Sequence, residues 1–359
     1  MLHMNKSKFT KNLCKLVTIQ SESYNTRLMM RHIKGVVQSI GGCTISYDKY
    51  GNMYVTKGDG PYPAMVCHTD TVHQIVKEPI AACIAKGNIV AFKTLSMEQV
   101  GTGGDDKVGI HITLELLKQH DNMKAAFFLD EEVGCVGSSN ADFKFFDDCL
   151  FVLECDRRGY KDFVNSISGT KLYEKNFADA IKVILQKYGR TECTGGMTDV
   201  VEIAYETDLP VANMSCGYYK PHTDEEYINI DDVINTYKLC DDIFKYINVK
   251  YPVKTKRTSW YGGYGGYNYN RWGGYDFYYD KNYNTIDGVD DTDIDSLSEL
   301  EEAVKKTCGP QCHMYDGYCD ACMMHVDEMY EFYNGPNETK SIPMETSVQD
   351  QRSTDENTN

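Results

Sequence analysis

The sequence predicts an α/β fold over residues 1–250, a mixed, mostly parallel sheet with helices on both faces, followed by a low-complexity stretch and a short helical carboxy-terminal tail. Three observations lead there. Short apolar runs alternate with segments whose apolar residues recur every three or four positions, the pattern of strands separated by covering helices. The chain has 359 residues, 42% of them hydrophobic, enough for a sizeable core. After Tyr251 the composition changes abruptly, which ends the catalytic-size domain there.

In order along the chain, Phe9 to Ile19 and Thr26 to Ile40 read as amphipathic helices. Thr44 to Tyr47 and Met53 to Thr56 read as a hairpin turning at Gly51-Asn52. Ala64 to Cys67 is a buried strand, and Asp105 to Leu117 a helix that follows a glycine-rich turn with Asp105 at its N-cap. Ala125 to Leu129 and Cys149 to Leu153 are further apolar strands. Lys171 to Tyr188 and Asp231 to Ile247 read as helices, with the strand Val211 to Cys216 between them.

The remaining third is different. Residues 251–286 form a glycine- and tyrosine-rich linker; Ser259 to Thr285 alone holds both tryptophans and eight of the 27 tyrosines, with no periodicity to build a core. Residues 287–334 are expected to be an acidic, cysteine-rich helical segment, with a helix starting at the capping-box pair Ser296 and Glu299. Residues 335–359 are polar and expected to be disordered. Cys308, Cys312, Cys319 and Cys322 fall within 15 residues; a structural zinc site and uncomplexed helical cysteines stand as equal readings.

Charge and composition exclude several classes. The net charge is −16, of which residues 1–250 carry −5 and residues 251–359 carry −11, with no basic stripe; this argues against a nucleic-acid partner. No stretch approaches the length of apolar chain that spans a bilayer, so no membrane role is expected. Met1 to Thr10 is polar and basic, and the scattered single cysteines suit reduced thiols, so the expected location is the cytoplasm.

The chemistry lies in five clusters. His68-Thr69-Asp70 follows the strand Ala64 to Cys67; alone, a His-x-Asp pair reads as a hydrogen-bonded loop. Gly101 to Lys107 carries Asp105-Asp106, Asp130-Glu131-Glu132 follows the next strand, and Asp156 lies just past the strand that ends in Leu153. His222 stands in Pro221 to Glu226, ahead of the last helix. Each cluster alone has a bland explanation as a cap or an exposed acidic loop. Together they deliver His, Asp, Glu-Glu, Asp and His at successive sheet edges, where open α/β folds build their sites. Carboxylates with two imidazoles suit zinc, or manganese or cobalt.

The set His68-x-Asp70, Gly-Gly-Asp105-Asp106-Lys107-x-Gly109, Asp130-Glu131-Glu132-x-Gly134, Asp156 and His222 resembles the di-zinc exopeptidases that include peptidase T, carboxypeptidase G and the acetylornithine and succinyl-diaminopimelate deacylases. The resemblance covers residues 5–250. It implies a zinc-exopeptidase-like catalytic domain that cleaves amide bonds of short peptides as an aminopeptidase or a di- or tripeptidase. His68, Asp105 and Asp156 would hold one zinc, and Asp105, Glu132 and His222 the other. Asp70 would orient His68, and Glu131 would be the general base for a metal-bridging water. Asp106 competes with Asp105 as the bridging ligand, and Glu154 with Asp156. An N-acyl amino-acid deacylase would use the same site, and a retired enzyme serving as a binding protein is the non-enzymatic alternative. About 38 residues separate Asp156 from Gly195-Gly196, where the family places a lid or dimerisation domain of about a hundred residues. The lid is therefore expected to be missing and a monomer is favoured. Thr198 and Asp199 are candidate substrate contacts with a helix N-cap as the equal alternative, Gly217-Tyr218-Tyr219 is expected to pack, and the tyrosine-rich tail could bind a further protein.

Overall fold

The computed structural model describes residues 5–254 and two short strands, Met314–Tyr315 and Tyr318–Cys319. The chain divides into two compact units, residues 1–286 and 287–359. In the first, α1 (Lys6–Thr18) and α2 (Arg27–Ile40) lead into β1 (Cys43–Tyr47), β2 (Met53–Lys57) and β3 (Tyr62–His68). Next come β4 (Ile80–Ala85), β5 (Asn88–Lys93), β6 (Gln99–Val100), α3 (Gly104–Gln119), β7 (Met123–Phe128), the single turn α4 (Val136–Ser139) and β8 (Cys149–Glu154). Then follow β9 (Asp162–Ile167), β10 (Thr170–Lys171), α5 (Lys175–Lys187), β11 (Thr191–Gly195) and α6 (Val200–Glu206). The unit ends with β12 (Val211–Asn213), β13 (Tyr218–Tyr219), β14 (Tyr227–Asn229) and α7 (Ile230–Tyr246).

The main sheet has six strands in the order β1-β2-β7-β3-β8-β12. From β7 to β12 all neighbours are parallel, while the β1-β2 hairpin adds an antiparallel edge. The fold is therefore α/β with a mixed, mostly parallel sheet. Every residue of β3, β7 and β8 is buried, Lys124 of β7 included, as their largely apolar runs require of strands covered on both faces. Helix α3 lies against β3 and is itself covered by α1, α2 and α7. Twelve of its residues are buried, so it carries apolar side chains almost all round. Because β7, β3 and β8 run in one direction, the residues that follow each of them emerge at the same sheet edge.

Local chemistry fixes the approach to that edge. Asp48 accepts from the N–H groups of Tyr50, Gly51 and Asn52, which closes the turn between β1 and β2. Wholly buried Asn52 then donates to the Gly137 carbonyl (2.9 Å) and accepts from the Leu129 N–H (3.0 Å). It thus holds the end of β7 just before Asp130-Glu131-Glu132.

Two smaller sheets were not legible in the sequence. One has the order β13-β14-β5-β4 with β6 paired to β5, all antiparallel; the other has the order β10-β9-β11. Strand β4 is half-buried over its first half and exposed over Cys83–Ala85, so its sequence lacks the alternation of a one-faced strand. The expected helix from Lys171 begins only at Lys175, because the Leu172 N–H donates to the Asn165 carbonyl and extends the β9-β10 turn. The expected strand to Cys216 leaves the main sheet after Asn213, where Met214 pairs instead with Phe163. Between Asp156 and Gly196 the chain holds β9, β10, α5 and β11.

In the second unit the two described strands pair antiparallel, Met314 opposite Cys319 and Tyr315 opposite Tyr318. They are extended in a segment expected to be helical. The linker from residue 255, the helix from Ser296, Cys308, Cys312, Cys322 and the terminal stretch lie outside the described residues. Among the described residues no helix is long and apolar enough to cross a membrane.

Candidate metal centre

His68 ends β3 and is fully buried. Its Nδ1 lies 3.0 Å from the Asp70 carbonyl oxygen and 3.4 Å from Asp70 Oδ1, so Nδ1–H donates to Asp70 and Nε2 faces the sheet edge. Around Nε2 stand Asp105 Oδ1 at 3.1 Å, Asp156 Oδ1 at 3.8 Å and Glu131 Oε2 at 4.0 Å. His222, in a left-handed backbone conformation (φ 63°), places Nε2 3.2 Å from Glu132 Oε2 and 3.4 Å from Asp105 Oδ2. The two oxygens of Asp105 are thus divided between the two imidazoles. Ligand atoms of His68, Asp105 and Glu132 all lie within 4.8 Å of one another.

Asp70 does more than orient His68. Its Oδ1 accepts from the Glu131 N–H (3.0 Å), and its Oδ2 from the Glu132 N–H (3.3 Å) and the Ser23 hydroxyl (2.7 Å). Glu131 keeps Oε2 towards the centre, while the Cys135 thiol donates to its Oε1 at 3.4 Å.

The structure separates the competing carboxylates. Asp106 is wholly buried, accepting from the Gly109 N–H (2.9 Å) and the His68 N–H (3.3 Å), and so braces the start of α3. A Cβ at residue 109 would stand 2.3 Å from Asp106 Oδ1, so glycine is required there. Asp105 does not cap the helix: the N-cap is Gly103, and both aspartates have non-helical backbone angles. Glu154 is likewise turned away from the imidazoles, with Oε2 2.7 Å from the Thr198 hydroxyl. That hydroxyl also lies 2.9 Å from Asp156 Oδ2, and the Tyr218 hydroxyl donates to Asp156 Oδ1 at 3.1 Å.

Thr198 and Asp199, read equally as substrate contacts or a helix N-cap, are both buried, and neither side chain caps α6. After Gly195-Gly196 the half-exposed Met197 points outward and Thr198 turns in behind Asp156. Should Asp156 hold a cation as expected, Thr198→Val weakens zinc binding by about tenfold, since that carboxylate loses the group that orients it. Competition with a chromophoric chelator measures this, and wild-type affinity would show that Asp156 needs no such brace. The contacts of Ser23, Cys135, Thr198 and Tyr218 have no local sequence signal.

The electrostatics are those of a cluster built around positive charge. Burial pushes Glu131 up to about 7 and Glu132 up to about 8, with neighbouring carboxylates adding to each shift. His222 is raised to about 9, chiefly by its hydrogen bond to Asp105. Burial disfavours the charged form of His68, but hydrogen bonds to Asp105, Asp156 and Asp70 outweigh it and hold the pKa well above the usual imidazole value. Burial works against ionised Asp105 too, yet His222 and His68 keep it below the ordinary carboxylate range. The residues fit a pair of divalent cations. Glu132 Oε1 is buried without a hydrogen-bond partner, and the nitrogen and oxygen donors are those that zinc takes.

The family model of the M42 glutamyl aminopeptidases matches residues 77–239, a span that includes Asp105, Glu131, Glu132, Asp156 and His222. The chain is a metallopeptidase. The resemblance read from the motifs holds at the level of co-catalytic zinc exopeptidases, but the family matched is M42, not that of peptidase T, carboxypeptidase G and the deacylases. No curated protein matches the chain in sequence. Similar solved structures include an aminopeptidase PepT from Bacillus cereus ATCC 10987, with TM-score 0.58 and 14% identity over 68% of this chain and 99% of that one. A tripeptidase from Staphylococcus aureus gives 0.56 and 14% over 68% and 99%, and an aminopeptidase from Desulfurococcus kamchatkensis 0.51 and 12% over 67% and 95%. At such identities these show the shared fold.

Proposed function

We propose that this metallopeptidase is a two-metal exopeptidase that removes residues from the amino end of short peptides. The observation that carries the reading is the division of Asp105 between the two imidazoles, the position of a bridging carboxylate. His68, Asp105 and Asp156 would hold one ion, and Asp105, Glu132 and His222 the other, with zinc first and manganese or cobalt as substitutes. When bound, such a pair polarises the scissile carbonyl and makes water acidic near neutral pH. Glu131 stands beside the ligands, and nearby cations favour its ionised form. Its carboxylate is therefore placed to accept a proton from water and return it to the leaving amine. Asp70 fixes the backbone of Glu131 and Glu132, so base and ligand keep their relative positions.

A cavity of about 670 Å³ opens beside His222, lined by apolar Val17, Val76 and Ile80 and by polar His73, Lys107 and Asp224. Its size is that of a small-ligand site, with room for more than one residue of a short peptide. The family match favours peptides over N-acyl amino acids and over a purely binding role. A cytoplasmic monomer is the accompanying reading: the cysteines of residues 1–250 stand singly along the sequence, which suits reduced thiols, and residues 157–194 are too few for a lid domain.

The test is turnover by the zinc- or manganese-loaded full chain on di-, tri- and longer peptides, the same peptides with blocked amino ends, and N-acyl amino acids. Release of the first residue from free-amine peptides alone is expected. Preference for acyl amino acids, or no turnover on any substrate, would overturn the proposal.

A further inference from the structure

Glu226 lies just before β14, four residues beyond His222, and its side chain is wholly buried. Both of its oxygens point at the glycine-rich turn that leads into α3. Oε2 accepts from the Gly103 N–H at 2.7 Å, and Oε1 from the Asp105 N–H at 3.2 Å. His73 Nε2 completes the set at 3.0 Å from Oε2, and it is the ion-pair partner of Glu226 among the described residues. The packing leaves the turn little freedom. A Cβ on Gly104 would stand 2.6 Å from the Tyr218 Cβ and 3.2 Å from Glu226 Oε1, and one on Gly101 would fall 2.0 Å from the His73 ring. Missing side chains at 101 and 104 are what let the ring and the carboxylate close on this backbone.

A buried carboxylate is costly unless its oxygens are satisfied, and a neutral side chain could fill the same volume without that cost. Glu226 instead accepts from the backbone of the residue whose side chain divides between His68 and His222. It also stands on the same short loop as His222. We infer that Glu226, braced by His73, is a positioning residue that sets Asp105 and the His222 loop in one register, so that both ligands meet the second cation together. The inference rests on the two-cation reading of the centre. Glu226 touches neither substrate nor ion; it acts through the peptide N–H of Asp105 and the loop that carries His222.

Glu226→Gln tests this in the full chain with nearly unchanged shape. An amide accepts at one end only, so one backbone N–H would meet an NH2 group instead of an acceptor. Zinc affinity of the metal-free protein, measured by chelator competition beside its melting temperature, is expected to fall about 10–100-fold, the usual effect of removing a group that orients a ligand. Glu226→Asp should recover part of the loss, and His73→Gln, which leaves both backbone bonds in place, should cost several-fold. Wild-type zinc affinity in Glu226→Gln overturns the inference even if the melting temperature drops, because Glu226 would then only fill space. If that variant does not fold, unchanged affinity in His73→Gln overturns it. A wild-type chain that binds no zinc sinks the two-cation reading itself, a distinguishable result.

Discussion

Glu131→Gln is expected to lower kcat on a cleavable peptide by about 10²–10⁴-fold while two equivalents of zinc remain bound. The replacement keeps the shape of the side chain and removes its ability to take a proton. Glu131 is not among the groups that meet the second imidazole, which Asp105 and Glu132 approach, and its Oε1 accepts from the Cys135 thiol. Its neighbour behaves differently, because Glu132 Oε2 lies 3.2 Å from His222 Nε2 and its other oxygen is unpartnered. The pair of variants Glu131→Gln and Glu132→Gln therefore separates two losses, turnover with metal retained and turnover with metal reduced. Retained turnover in Glu131→Gln would remove this residue from the proton-transfer role. Joint loss of metal and turnover would make it a ligand.

The parts legible in the sequence share one physical cause. Strands β3, β7 and β8 are buried on both faces, so each reads as a largely apolar run and the polar residues at its end stand out. That is why His68, the Asp130-Glu131-Glu132 trio and Asp156 could be picked out, and parallel strands bring their ends to one edge. What was hidden depends on contacts between remote segments. Glu226 reaches Gly103 and Asp105 across more than a hundred residues, and no local spacing announces such a contact. Thr198 read equally as a substrate contact, by the resemblance of its segment to the family's, and as a helix cap; whether a residue after such a turn faces in or out depends on what packs behind it, here Glu154 and Asp156. Strands β4 and β14 were missed because half-exposed short strands carry little alternation. Spacing favoured Asp105 over Asp106 but left both open, since adjacent side chains diverge; in the structure Asp105 is the one whose oxygens stand beside both imidazoles.

Asp105→Asn is expected to abolish the stabilisation that zinc gives the folded chain. A ligand that binds the native state alone contributes about 4 kcal/mol at a thousandfold excess over its dissociation constant, so the wild type should melt well above its chelator-treated form. The variant should show almost no such gap, because one charged group that faces both imidazoles has become neutral. The wild-type gap should also widen between pH 5 and pH 8. Glu131 and Glu132, raised to about 7 and about 8, and His222, raised to about 9, all bind protons more tightly folded than unfolded. These three groups therefore hold more protons folded than unfolded from the ordinary carboxylate range up to about pH 9, and what they contribute to the metal-free chain's stability falls as pH rises through that window, opposed at its acid side by His111, which burial lowers to about 4. Asp105 shifts the other way, but its lowered pKa acts only at the acid end, below this window. Cation binding would need Glu132 and His222 deprotonated, so the stabilisation by zinc grows over the interval in which these groups weaken the metal-free chain. Thermal melts with and without chelator at several pH values measure both trends. A zinc-induced rise in melting temperature that survives Asp105→Asn would show that this carboxylate bridges nothing.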